Sequence, residues 1–282
     1  MLGIIGGTGV YKIEGLEVKS EDIVNTPYGE PSAPLIQAEY KGQELIFLAR
    51  HGAQHQLMPH EVNYRANIWA LKSLGVKQIV GVSAVGSLRE DLAPGDFVIP
   101  NQYFDFVKGQ REKSFFGDGL VAHVSTAETT CLNLTEALRK SAEVIDIKVH
   151  TGKTYACVDG PRLGTQAESH FLRNAANCDI VGMTNVPEAF LAREAQICYA
   201  TLCIVTDYDC WKENTGEHVT VEMIISRYGQ SIEKAKVLLK AFLEQPRPEI
   251  NPEYRECLQF SILTPEEALT PEKKQLLKLL KE

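Results

Sequence analysis

Seven apolar, β-rich runs punctuate the chain, and helical patterns fill the intervals between them. The runs are "GII" near residue 4, "ELIFLA" at 44–49, "QIVGVSAV" at 78–85, "DFVIP" at 96–100, "KTYACV" at 153–158, "DIVGM" at 179–183 and "CYATLCIV" at 198–205. Among the intervals, "HEVNYRANIWALKSLG" sets Val62, Ala66, Trp69 and Ala70 on one face, with Gly75 as a C-cap. "TQAESHFLRNAANC" opens on a Thr165 cap and keeps Ala167, Phe171 and Leu172 together. "VPEAFLAREAQ" carries Pro187 where a first-turn proline is tolerated, and a long amphipathic segment, "TVEMIISRYGQSIEKAKVLLKAFLEQ", stops before Pro246. Strands alternating with helices predict an α/β fold: a single domain with a mixed, twisted central β-sheet flanked by helices. No linker, repeat or low-complexity stretch divides the 282 residues. Residues 1–264 are therefore expected to form the domain, and 265–282 a helical tail packed on it.

The first run leads into "GIIGGTG". Gly6, Gly7 and Gly9 let backbone approach a ligand and expose N–H groups, and Thr8 adds a hydroxyl. A dinucleotide fingerprint would require G-x-G-x-x-G running straight into a helix. Here the glycines are differently spaced, and "VYKIEGLEVK" has no helical period. Glu21 and Asp22 read as a solvated turn. A small-anion loop fits better than a Rossmann turn. The net charge of −8 speaks against an extended nucleic-acid surface. The seven cysteines include no C-x-x-C pair, which argues against a zinc site or disulfide framework. Cys198 and Cys203 are expected to be reduced core residues. The sequence has neither a signal-like segment nor an apolar stretch long enough to span a bilayer, so a cytoplasmic location is expected.

In an α/β sheet, ligands sit at the carboxyl ends of the strands. Arg50, His51 and His55 follow the second run directly; the group can be structural or, beside the glycine loop, an anion site. Ser83 is placed at a third strand end, where its hydroxyl would complete such a cradle. Met183, Thr184 and Asn185 close another run, with core filling an alternative fate for Met183. "VTDYDCW" places Asp207 and Asp209 two residues apart, hence on one side of an extended backbone. The pair admits three readings: a solvated turn, a divalent-metal site lacking further ligands at suitable spacing, or recognition of a heterocycle such as adenine.

Taken together, "GIIGGTG", "TPYGEPS", "LARHGAQHQLMPHEVNYRANIWAL", "GSLRE", "GDFVIP", "GMTNVPE" and "TDYDCW" resemble the 5′-methylthioadenosine phosphorylases of the trimeric purine nucleoside phosphorylase family. The resemblance runs from Gly3 to about Leu263. It implies a nucleoside-phosphorylase-type sheet and attack of phosphate on C1′, giving adenine and 5-methylthioribose 1-phosphate. Inorganic phosphate is then a co-substrate, and neither a metal nor an organic cofactor is implied. Carried over by position, Thr8, Arg50, His51, Ser83, Ala84 and Thr184 would hold phosphate, and the catalytic residues would be Asp207, Asp209 and His51. Met183 would lie under the ribose, Asp207 would face purine N7 and Asp209 the exocyclic amine. Val221, Ile224 and Ile225 would line the methylthio pocket, although at i, i+3 and i+4 they equally describe a helix core face. The same resemblance implies a homotrimer in which His123 and Leu263 enter a neighbouring subunit's site.

One stretch departs from the family's pattern. "DGPRLG" at 159–164 puts Leu163 where an aromatic residue packs on the base and Gly164 where a hydroxyl is usual. Leucine there also resembles methylthioinosine phosphorylases, so a broader or 6-oxopurine phosphorylase (methylthioinosine, inosine or guanosine) is the nearest alternative. A hydrolytic nucleosidase, a dehydrogenase and a non-catalytic purine-nucleoside-binding protein are more distant ones.

Overall fold

The computed structural model describes residues 1–7, 9–212 and 221–282. Its sheet has nine strands: β1 (Leu2–Gly6), β2 (Glu17–Asp22), β3 (Leu35–Tyr40), β4 (Gln43–Ala49), β5 (Gln78–Ser87), β6 (Phe97–Asp105), β7 (Val149–Cys157), β8 (Ile180–Gly182) and β9 (Cys198–Tyr208). The helices are α1 (Tyr64–Ser73), α2 (Leu132–Val144), α3 (Gln166–His170), α4 (Asn185–Glu194), α5 (Val221–Leu243), α6 (Pro252–Arg255) and α7 (Pro271–Lys281).

Strand order is β2-β3-β4-β1-β5-β8-β7-β6-β9, and β5 also pairs with β9. The last five strands therefore close on one another, while β2, β3 and β4 form an open antiparallel wing. At the centre β1 runs parallel to β4 and β5, and β5 runs parallel to β9 from Gln78–Cys198 to Ser87–Tyr208. Parallel strands buried on both faces need apolar side chains pointing both ways. In β1, Leu2 and Ile4 join the layer under α2 and α5, whereas Ile5 joins the opposite layer with α1 and α4. In α2, Leu134, Leu138 and Ala142 recur every fourth residue and fill the first layer. Leu276, Leu277 and Leu280 of α7 are buried in the second.

The expected α/β architecture with a mixed sheet is present. Some local expectations are corrected. Glu21 and Asp22 belong to the edge strand β2, held by antiparallel pairing with β3 that the local polar sequence does not announce. The segment after Thr165 has a capping box with Glu168, but it passes into a π-helical turn at Phe171–Ala175. Leu172 is buried there and Phe171 is 45% exposed. Cys198 is not a reduced core thiol: it forms a disulfide with Cys131, 67 positions away, with Cα atoms 5.3 Å apart. Cys131 caps α2 and Cys198 starts β9, and only their packing brings them together. Cys203 remains a free, buried thiol. Among the described residues no helix is long and apolar enough to cross a membrane.

Candidate active site

The carboxyl ends of β1, β4, β5 and β9 point the same way, β8 runs antiparallel to the end of β5, and the polar residues singled out in the sequence lie on or just after these strands. The Arg50 amide donates to the Gly6 carbonyl at 2.9 Å, extending the β1–β4 ladder into the glycine loop. Thr8 lies outside the described residues. A side chain built on Gly7 would come within 3.2 Å of the Tyr228 hydroxyl, so α5 lies over the loop.

Arg50 is 1% exposed, and four of its five guanidinium N–H groups have partners. Nε and Nη2 grip the two carboxylate oxygens of Glu188 at 2.6 and 2.8 Å. Nη2 also donates to the Ile5 carbonyl at 3.4 Å, and Nη1 to the Val82 carbonyl at 2.9 Å. Burial works against the charge, but Glu188 outweighs it and keeps the guanidinium protonated. A two-pronged grip on an anion is thus already committed to Glu188, leaving one Nη1 hydrogen without a partner among the described residues. Glu188 is itself 1% exposed and accepts a third hydrogen bond, from the Tyr199 hydroxyl at 2.7 Å. Thr201 donates to that hydroxyl at 2.6 Å. The cluster occupies the space above Gly81: a Cβ there would meet the Tyr199 hydroxyl at 2.8 Å and Thr201 Oγ1 at 3.0 Å.

His51 is half-buried, with Nδ1 2.9 Å from the Leu57 carbonyl. A carbonyl only accepts, so Nδ1 carries the proton and Nε2 the lone pair in the neutral ring. Burial, followed by the nearby Arg50 charge, lowers its pKa to about 4, so the ring is neutral at pH 7. His55 is exposed and its ring centroid lies 4.8 Å from that of His51.

Ser83 does not end a strand. It lies in the middle of β5, opposite Cys203 of β9, because pairing with β9 carries the strand on to Ser87. Ala84 is half-buried beside it. Ser83 Oγ and Thr184 Oγ1 each lie 3.5 Å from Asn185 Oδ1, and all three residues are buried. Met183 is half-buried at the end of β8. The guanidinium of Arg111 ties two loops together, donating to the carbonyls of Met183 and Val186 and to that of Asp159, each at 2.8 Å.

Asp207 and Asp209 both crowd against one point of β5. A Cβ on Gly86 would lie 3.4 Å from Asp209 Cβ and 3.5 Å from Asp207 Oδ2, so glycine makes room for both. Asp207 is 6% exposed and lies within β9. Burial raises its pKa to about 6; the Thr206 hydroxyl, donating at 2.7 Å, opposes the shift and the Asp209 charge adds to it. Burial raises that of Asp209 as well. A carboxyl poised near neutrality beside a second one suits proton sharing with a nitrogen heterocycle. Asp207 is held within the strand, whereas Asp209 opens a turn to Lys212 and is half-buried.

The remaining candidates are more dispersed. Leu163 is 44% exposed, and the loop carrying it is fastened by Arg162, whose guanidinium pairs with Glu168 at 2.7 and 2.8 Å. Ile225 of α5 is exposed; the side chains of Val221 and Ile224 lie outside the described ones. His123 and Leu263 are exposed on two short segments joined by the Ala122–Ile262 bridge. Among the described residues no group of three or more His, Cys, Asp or Glu side chains is arranged to hold a metal. Sequence reasoning noted Asn185 at a strand end without giving it a role, and missed Glu188, Tyr199 and Arg111. Asn185 and Glu188 sit in the quoted "GMTNVPE", but no spacing rule ties a glutamate there to an arginine 138 positions earlier.

Buried Arg50, Ser83 and Thr184 are groups that could meet an anion, and the buried pair Asp207 and Asp209 are groups that could meet a nitrogen heterocycle, on one mixed α/β sheet. The chain belongs to the phosphorylase superfamily, whose pattern matches residues 1–244. The S-methyl-5′-thioadenosine phosphorylase of Geobacter sulfurreducens is 42% identical over 280 residues, 99% of this chain and 97% of that protein. The crystal structure of a methylthioadenosine phosphorylase from an antarctic soil metagenomic library superposes with a TM-score of 0.90, at 44% identity over 99% of this chain and 98% of that one. Methylthioadenosine phosphorylase from Schistosoma mansoni, in complex with adenine, has a TM-score of 0.81 at 38% identity, covering 86% and 90%.

Proposed function

We propose that this enzyme is an S-methyl-5′-thioadenosine phosphorylase, a pentosyltransferase that releases adenine and 5-methylthioribose 1-phosphate. The observation that carries the reading is the pair Asp207 and Asp209, held together over Gly86 with Asp207 poised near pH 6. Cleavage of the glycosidic bond leaves electron density on the purine, and a protonated Asp207 at N7 would stabilise it. Phosphate, held by Ser83, Thr184, the Ala84 backbone, the Thr8 loop, His51 and the second Nη1 hydrogen of Arg50, would be both nucleophile and counter-charge for a cationic sugar. No metal or organic cofactor has a part in this chemistry. Asp209 would accept from the 6-amino group, and Met183 would floor the ribose. Val221, Ile224 and Ile225 would wall the 5′ end.

A homotrimer belongs to the same reading. His123 and Leu263 share one exposed edge, where Val121 (48% exposed) and Phe260 (88%) add apolar surface suited to a neighbouring subunit. We place the chemistry in the cytoplasm, where the Cys131–Cys198 disulfide would be shielded from reductants by complete burial.

A second reading is favoured by Leu163 and Gly164: a range extending to 6-oxopurines. The deciding experiment is base release from methylthioadenosine and methylthioinosine, each with and without phosphate. Phosphate-dependent release of adenine alone is expected. Strong hypoxanthine release would favour the second reading, and release without phosphate would overturn phosphorolysis.

A further inference from the structure

We propose that Asn185 is a positioning residue that sets the direction of the two hydroxyls in the phosphate cradle. Its amide nitrogen donates to Ser83 Oγ and Thr184 Oγ1, so that both hydroxyl hydrogens are left for the anion. The inference rests on the phosphorylase reading and extends it to a residue behind the cradle.

The cradle is short of strong donors. Arg50 has one N–H left after Glu188, Val82 and Ile5 are served, and His51 spends its Nδ1 proton on Leu57. Ser83 and Thr184 must therefore donate if they are to hold phosphate oxygens. Each hydroxyl has a single hydrogen. With Asn185 Oδ1 facing them at 3.5 Å, both hydrogens would turn away from the anion and toward the amide. In that orientation Asn185 Nδ2 is fully buried and has no partner among the described residues. Two separate defects thus share one cause.

Rotating the amide by half a turn exchanges its oxygen and nitrogen without changing its shape. The two Nδ2 hydrogens then match two hydroxyl oxygens, and the hydroxyl hydrogens point outward. The carbonyl oxygen takes the unpartnered place, which buried acceptors tolerate better than donors do. Asn185 sits at the start of α4 with its amide against both hydroxyls, so its proposed action runs through Ser83 and Thr184. Apo-state contacts of this length tighten as a ligand draws the hydroxyls into line.

The test is Asn185→Leu, of similar shape and without donor or acceptor, with KM measured separately for phosphate and nucleoside. The phosphate KM is expected to rise roughly tenfold while the nucleoside KM stays within about twofold. Adding Ser83→Ala should cost less in the Asn185→Leu background than in the wild type, since the hydroxyl has already lost its orientation. An unchanged or lowered phosphate KM would overturn the proposal, because it would mean that the amide had been accepting and that its removal set the hydroxyls free. Equal losses for both substrates would reduce Asn185 to core packing. Should the leucine variant fail to fold, Asn185→Asp keeps the shape but only accepts. It should raise the phosphate KM more steeply than the nucleoside KM, and an unchanged phosphate KM there would refute the proposal. Absence of phosphate-dependent base release by the wild type is a different result: it would remove the phosphorylase reading itself.

Discussion

Replacing Glu188 by glutamine removes one charge from an ion pair in which both partners are 1% exposed. The shape is kept and the loss can be followed atom by atom. If the new amide oxygen takes the place of Oε1, it still accepts from Arg50 Nη2 and from Tyr199, contacts now of 2.8 and 2.7 Å. The amide nitrogen then faces Arg50 Nε, donor against donor, where the wild type has a 2.6 Å charge-assisted bond. Losing that bond costs about 1.5–3 kcal/mol, and leaving a buried guanidinium without its counter-charge brings the total to about 3–5 kcal/mol. For a chain of this size that corresponds to a fall on the order of 10 °C in melting temperature. Scanning calorimetry and urea unfolding of Glu188→Gln, Arg50→Met and the double variant Arg50→Met/Glu188→Leu would measure it. The double variant should regain most of the loss, because apolar groups of similar volume replace a buried pair at little cost. A loss below about 1 kcal/mol in Glu188→Gln would refute the reasoning, as would a double variant no more stable than the single one.

Asp207 gives a pH signature. Its folded pKa of about 6 exceeds the ordinary 3.8, so the stability it contributes is full below pH 4 and is lost as pH rises through 6. Asp207→Asn should therefore gain on the wild type by roughly 2–3 kcal/mol between pH 4 and pH 8; parallel stability curves would contradict the burial. The wild-type kcat/KM should fall above about pH 6 as Asp207 loses its proton, and a flat profile from pH 5 to 8 would count against an acid role. Asp209→Asn should move the ratio of methylthioadenosine to methylthioinosine turnover toward the 6-oxopurine by roughly tenfold or more, and an unchanged ratio would dissociate Asp209 from the 6-position. Cys198→Ala opens a loop of 67 positions and should cost up to about 4 kcal/mol with little change in KM. A melting temperature equal to that of the wild type would mean that the disulfide is absent in solution.

The alternation of apolar runs with amphipathic segments was enough to define the α/β class, because strands buried on both faces must be continuously apolar. The runs at 44–49, 78–85 and 198–205 lie within β4, β5 and β9. Where a helix begins with its own cap, as at Thr165, the local sequence carried the signal. The edge strand at Glu17–Asp22 was illegible, since its backbone partners lie in β3 and its side chains face solvent. For the site, the "TDYDCW" stretch announced paired carboxylates through spacing alone, and strand periodicity put them on one side.

What spacing did not contain was the state of those groups. Only the tertiary structure decided that Asp207 is buried enough to hold a proton near neutrality, that Arg50 faces Glu188, and that Cys131 meets Cys198. Each of these depends on which distant segment supplies a charge, a hydrogen-bond partner or a wall against water. A sequence fixes the chemical repertoire of a side chain and its direction along one strand. The dielectric around it and the partner opposite it are set by other parts of the chain, brought there when the sheet closes.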